Sequence, residues 1–106
     1  DLVVVAPAGV PPSLTLTSSA SWLALLGEGR LAIAEPTGVP AGRYARQALT
    51  SLGVWEALAG RLAPGENVRA ALQLVARRES PLGIVYRTDA LAEPRVIMVA
   101  TVPGDR

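Results

Sequence analysis

The sequence predicts an α/β fold: a mostly parallel sheet flanked by helices. Two observations carry that reading. Strand-like runs alternate with segments of helical periodicity along the chain. The strand-like runs, such as Leu2-Val3-Val4-Val5-Ala6, are apolar at consecutive positions, so both of their faces are buried, as in parallel sheets covered by helices. At 106 residues, half of them apolar, the chain holds one domain at most, with a single core.

The elements follow in order. Leu2 to Ala6 reads as a buried strand, broken by Pro7, Gly9, Pro11 and Pro12. Ser18 or Ser19 caps a short helix that holds Trp22, Leu23, Leu25 and Leu26 and closes on Gly27 and Gly29. Arg30 to Ala34 is a second strand. A helix of roughly 41–52 carries Tyr44, Ala45, Ala48, Leu49 and Leu52 on one apolar face and stops at Gly53. A helical turn near Trp55 to Ala59 follows, then a brief strand at Arg61 to Ala63. Pro64 and Gly65 turn the chain into a helix of roughly 67–78, with Val68, Ala71, Leu72 and Val75 as its buried stripe. Arg77 and Arg78 fall in its last turn, where cations suit the helix dipole. Leu82 to Tyr86 is a strand, and Thr88 to Leu91 a short turn capped by Thr88 or Asp89. Arg95 to Val102 is the last strand, ended by Pro103-Gly104. Trp22, Trp55 and Tyr44 read as packing residues.

Composition removes several classes of function. Net charge is +1, with nine acids against ten bases, all of the bases arginine. That balance gives no electrostatic case for nucleic acid or an anionic membrane. With no Cys and no His, thiolate sites, zinc sites and Ser-His-Asp or Cys-His machinery have no residues to be built from. No run of 18 apolar residues occurs. Neither Gly-x-Gly-x-x-Gly nor a Walker-type phosphate loop is present. Glu35, Glu66 and Asp89 lack the spacing of a calcium loop and read as capping or solvated acids. No nucleophile–base pair stands out, so an enzyme is not expected. The chain opens directly on a β-branched run with no signal-peptide pattern ahead of it. Domains seldom start in mid-strand, so a piece of a longer protein is expected.

Three phrases lie at strand-to-helix junctions: Gly38-Val39-Pro40-Ala41-Gly42-Arg43-Tyr44-Ala45, Gly65-Glu66-Asn67-Val68-Arg69, and Leu82-Gly83-Ile84-Val85-Tyr86-Arg87-Thr88-Asp89-Ala90. In α/β sheets ligands bind outside the carboxyl ends of the strands, where helices begin. Pro40 suits a helix opening because its missing N–H would be unpaired there, which leaves the amides of Ala41 and Gly42 free to donate. Small side chains at those positions let an anion approach the backbone. Asn67 or Glu66 caps the next helix, with the Val68 amide in its first turn. Tyr86 ends its strand on a phenol. Two helix starts and one phenol aimed at a common point make an uncharged cradle for an oxyanion. Each phrase alone also fits an ordinary capped helix, and Tyr86 a rim aromatic packed on a neighbouring helix. Arg69 reads as an anion clamp or, given its offset from the apolar stripe, as a solvated surface arginine.

These phrases resemble the molybdate-binding periplasmic proteins of bacterial ABC importers. The resemblance extends to Leu-Val-Val-Val-Ala-Pro at 2–7, Arg-Leu-Ala-Ile-Ala at 30–34, Ala-Leu-Thr-Ser-Leu-Gly-Val-Trp at 48–55 and Val-Ala-Thr-Val-Pro at 99–103. It implies a class II periplasmic binding protein, whose two lobes close on a tetrahedral oxyanion, and it covers the middle lobe only. Residues 1–106 are then a single lobe, with 1–7 and 99–103 resembling the hinge crossings. The serine-bearing lobe that completes the ligand shell has no counterpart here.

The resemblance further implies that Ala41, Val68 and Tyr86 bind the anion, the first two through backbone amides and the third through its hydroxyl. The ligand is molybdate or tungstate; there is no cofactor, and no metal other than that in the oxyanion. It implies a periplasmic location and a membrane permease as partner, besides the missing lobe or another copy of the chain. An isolated half-site is expected to bind weakly. Two alternatives stay open: an interaction or assembly unit that binds no ligand, and a lobe of another class II binder, for sulfate or a small organic anion.

Overall fold

A computed structural model describes residues 2–9 and 11–103. Gly104, named above as ending the last strand, lies outside the described residues, as does residue 1 of the segment 1–7. Five strands, β1 (Leu2–Pro7), β2 (Leu31–Ala34), β3 (Leu62–Gly65), β4 (Leu82–Tyr86) and β5 (Val96–Thr101), form one sheet in the order β3-β2-β4-β1-β5. β2 pairs in parallel with both β3 and β4. β1 runs antiparallel to β4 on one side and to β5 on the other. Four strands therefore share a direction and β1 alone opposes them. The helices are α1 (Ser19–Leu26), α2 (Pro40–Ser51), α3 (Trp55–Leu58), α4 (Val68–Ala76) and α5 (Arg87–Leu91).

Alternation of side chains along each strand builds two cores, one on each face of the sheet. Val4, Ala6, Leu31, Ile33, Leu82 and Ile84 face α1, α2 and α3 and pack with Trp22, Leu26, Leu49, Val54 and Leu58. Val3, Val5, Ala32, Ala34 and Val85 face α4 and α5 and pack with Val68, Ala71, Leu72, Val75 and Ala90. The second face is lined by smaller residues, so α4 lies close to the sheet. A Cβ on Gly83 would stand 2.6 Å from Val75 Cγ2.

Local chemistry sets the element ends. Ser18 caps α1, its hydroxyl accepting from the Ser21 amide at 3.2 Å, and Gly27 ends that helix with positive φ. The buried Trp22 donates its indole N–H to the Leu16 carbonyl at 2.9 Å, which ties the loop before α1 to the core. Arg61 donates to the carbonyls of Gly27 and Gly29, so the turn after α1 is held by the residue that precedes β3. β3 is an edge strand, paired only with β2, and an edge tolerates Pro64, which has no N–H to donate.

Four details depart from the sequence reading. Pro64 and Gly65 belong to β3, and the turn into α4 begins only after them. Tyr44 is 53% exposed, because the apolar stripe of α2 that meets the sheet is Ala41, Ala45, Ala48 and Leu49. Arg77 and Arg78 lie past the last turn of α4. Arg78 takes a left-handed conformation with φ 64° and donates to the Ala8 carbonyl at 2.9 Å, a link to the loop after β1. At α5 the cap position is Tyr86, with no side-chain capping bond, because the helix starts one residue earlier than the Thr88 turn suggested.

The turn into β5 is held by an ion pair. The Glu93 carboxylate accepts from the Arg95 backbone amide, Nε and Nη2, each at 2.9 Å. The guanidinium bonds first, and the amide second, hold the Glu93 carboxyl down to about 2. An acid whose folded pKa lies below its unfolded value stabilises the fold above the unfolded value and loses that contribution as pH falls. Melting temperatures followed by circular dichroism should therefore drop as pH falls from about 4.5 to about 2. Glu93→Gln should drop less steeply across that window and match the wild-type slope above it.

Candidate anion-binding site

The three strands that lead into the three phrases are neighbours, in the order β3-β2-β4, and are parallel. Their carboxyl ends, Gly65, Ala34 and Tyr86, therefore lie on one edge of the sheet within two strand spacings, roughly 10 Å. The chain leaves each end into a helix. A hollow of roughly 410 Å³ lies at this edge, lined by Val39, Pro40, Ala41, Asn67, Val68, Arg69, Tyr86 and Asp89. Ala41, Val68 and Tyr86 are thus brought to one surface from three segments far apart in sequence.

Each contributor is positioned by its own neighbours. Val39 precedes α2 in extended conformation and offers no side-chain cap, and Pro40 is the first helical residue. Among the described residues no hydrogen bond takes the N–H of Ala41 or Gly42. Ala41 packs with the α4-side core, whereas Ala45, Ala48 and Leu49 of the same helix pack with the opposite core. The start of α2 therefore straddles the sheet edge, which brings its amides towards α4. At α4 the Asn67 side chain accepts from the Ala70 amide at 2.8 Å, which leaves the Val68 N–H as an unpaired first-turn donor. Val68 itself is buried, so its main chain is fixed by core packing. Tyr86 is half-buried against the α4-side core.

Gly42 meets a packing requirement. A Cβ there would collide with the carbonyl oxygens of Ala34 and Glu35, so glycine lets α2 rest on the end of β2. Glu35, read from the sequence as a capping or solvated acid, holds the turn ahead of α2. Its carboxylate accepts from the Gly38 amide at 2.7 Å, the Thr37 amide at 3.1 Å and the Thr37 hydroxyl at 2.8 Å. The Thr37 hydroxyl, then the Gly38 amide, lower its pKa. The spacing Glu35-x-Thr37-Gly38, an acid followed by two donors of a turn, was the legible signal.

Charge in the hollow is nearly balanced. Arg69 is exposed on the α4 wall and Asp89 half-buried on the α5 wall. Asp89 sits in the first turn of α5, where the helix dipole favours a carboxylate. Among the described residues no group of three or more His, Cys, Asp or Glu side chains is arranged to hold a metal ion. The site offers main-chain donors and a phenol, a set suited to an anion.

The sequence pattern that defines the bacterial extracellular solute-binding proteins matches residues 1–105. The chain belongs to this family. Among solute-binding proteins, the molybdate-binding protein ModA of Escherichia coli K12 is 54% identical over 106 residues, covering 99% of this chain and 41% of the relative. ModA of Haemophilus influenzae is 44% identical over 105 residues, again 99% of this chain and 41% of its own. A solved substrate-binding domain ascribed to a molybdenum ABC transporter of Clostridium difficile matches with a TM-score of 0.80 at 27% identity, over 97% of this chain and 43% of that one. The chain spans about two fifths of the length of the curated relatives it matches.

The contact between Gly42 and β2 is directly testable. Gly42→Ala should lower stability by about 1–3 kcal/mol through overpacking, read as the urea midpoint at unchanged slope. Gly60→Ala, where an added Cβ meets nothing within 4 Å, should stay within about 0.5 kcal/mol of wild type.

Proposed function

We propose that this chain is one lobe of a two-lobed, periplasmic solute-binding protein that closes on molybdate or tungstate and delivers it to the membrane permease of an ABC importer. The observation that carries the reading is the convergence of Ala41, Val68 and Tyr86 on a single hollow. The likeness to molybdate-binding relatives supports the choice of ligand. The amides of Ala41 and Val68 and the Tyr86 hydroxyl donate to the oxyanion. The second lobe closes the other side and supplies the remaining donors.

The topology supports such a partner lobe. The β1–β4 register sets Leu2 opposite Tyr86, and the β1–β5 register sets Val3 opposite Thr101. Leu2 and Thr101 therefore lie at the edge that carries the hollow, where segments 1–7 and 99–103 would serve as the two crossings. The role is that of a binder, since the groups that converge on the site are hydrogen-bond donors.

Selectivity follows from the donors. A fully deprotonated dianion accepts every hydrogen bond offered. A protonated oxyanion such as hydrogen phosphate turns an O–H towards an N–H, and an unpaired buried polar group costs about 1–3 kcal/mol. Arg69 offsets the charge of Asp89 at the rim, so the anion meets no net repulsion there. Binding by this lobe alone is weak. Losing about half of the charge-assisted bonds, at about 1.5–3 kcal/mol each, removes several kcal/mol of affinity.

Titration calorimetry tests this. The two-lobed protein should bind molybdate with a Kd of about micromolar or tighter, and the 106-residue chain at least a hundred-fold more weakly, about 2.7 kcal/mol. Submicromolar binding by the 106-residue chain would overturn the half-site, and tighter binding of sulfate than of molybdate would overturn the ligand. Tyr86→Phe in the two-lobed protein should lose about 1–3 kcal/mol of molybdate affinity with the circular dichroism spectrum unchanged.

A further inference from the structure

We propose that Glu35 is the positioning residue of the anion site, fixing the start of α2 relative to the start of α4. This rests on the binding role proposed above and adds a residue that lies outside the ligand shell. Glu35 follows β2, the strand between β3 and β4. Its three polar groups point to three different places. The backbone N–H donates to the Gly65 carbonyl at 2.9 Å, at the end of β3 and three residues before Val68. The backbone carbonyl accepts from the Val39 amide at 3.2 Å, two residues before Ala41. The carboxylate gathers Thr37 and Gly38, the turn between them.

One residue thus ties the approach to one donor helix to the approach to the other. The contact of Gly42 with the Glu35 and Ala34 carbonyls presses α2 onto the same point. Glu35 is not among the residues that line the hollow. Its carboxylate bonds the Thr37–Gly38 turn instead of lining the hollow. Without the carboxylate, Thr37 and Gly38 lose their shared acceptor and the turn has several conformations to choose from. The bound geometry is then one of many, and affinity falls by the fraction of time spent in it.

The test uses the two-lobed protein with Glu35→Ala and molybdate, by calorimetry well below the variant's own melting temperature, where every molecule is folded. A residue that only stabilises leaves Kd unmoved under that condition. A positioning residue raises Kd, here by about ten-fold, as for other groups that orient ligand-binding atoms from outside. A rise of less than three-fold in the folded variant overturns the proposal. Should Glu35→Ala not fold, Glu35→Gln keeps the length and one acceptor oxygen: a rise of about three-fold supports the role, and a Kd equal to wild type overturns it. If the wild-type two-lobed protein binds no molybdate, the functional reading falls first, and the two failures are told apart by that control.

Discussion

The parallel pairing of β2 with both β3 and β4 is the constraint on which the rest depends. It sets three strand ends side by side and sends the chain from each into a helix on the same edge. A shift of one residue in either pairing would turn every side chain of that strand to the wrong face, because side chains alternate with period two. The register is enforced by the cores: Leu31 and Ile33 belong to one, Ala32 and Ala34 to the other. The packing that stabilises the sheet is therefore the same packing that aims the donors.

The two faces are not equivalent. The side of α1, α2 and α3 carries the large residues, with Trp22, Leu49 and Leu58 fully enclosed. The strand residues under α4 are Ala, Val and Gly, which lets that helix sit low on the sheet. At the start of α4 the Ala71 amide stands 3.2 Å from where a Cβ on Gly65, the end of β3, would be. The small residues on that face, Ala32 and Gly83 among them, are thus spatial requirements of the site as well as of the core.

Much of this was legible in the sequence. Consecutive apolar residues gave the buried strands, and Pro40 and Asn67 marked helix starts by ordinary capping chemistry. The resemblance then selected Ala41, Val68 and Tyr86 out of several equivalent positions. What escaped the sequence was set by long-range geometry. Tyr44 shares the helical spacing of Ala41 and Ala48, but which flank of the stripe meets the sheet depends on where α2 crosses the edge. Arg77 and Arg78 suited the dipole, yet α4 ended early and the Arg78 guanidinium found the Ala8 carbonyl, seventy residues away. The direction of β1 was invisible because a run of valines reads the same in either orientation. Glu35 read as a capping or solvated acid, but the reach of its backbone groups to Gly65 and Val39 depends on how the strands pair.

The placement of β1 also has a kinetic side. β1 sits between β4 and β5, and Leu2 pairs with Tyr86 across more than eighty residues of chain. Parallel neighbours β2, β3 and β4 likewise need crossovers before they meet. Contacts so distant require large loops to close before any reward arrives, which places folding in the slow, non-local regime. During synthesis β1 has no partner strand until β4 has left the ribosome, so its backbone groups wait unpaired while β2 and β3 are made.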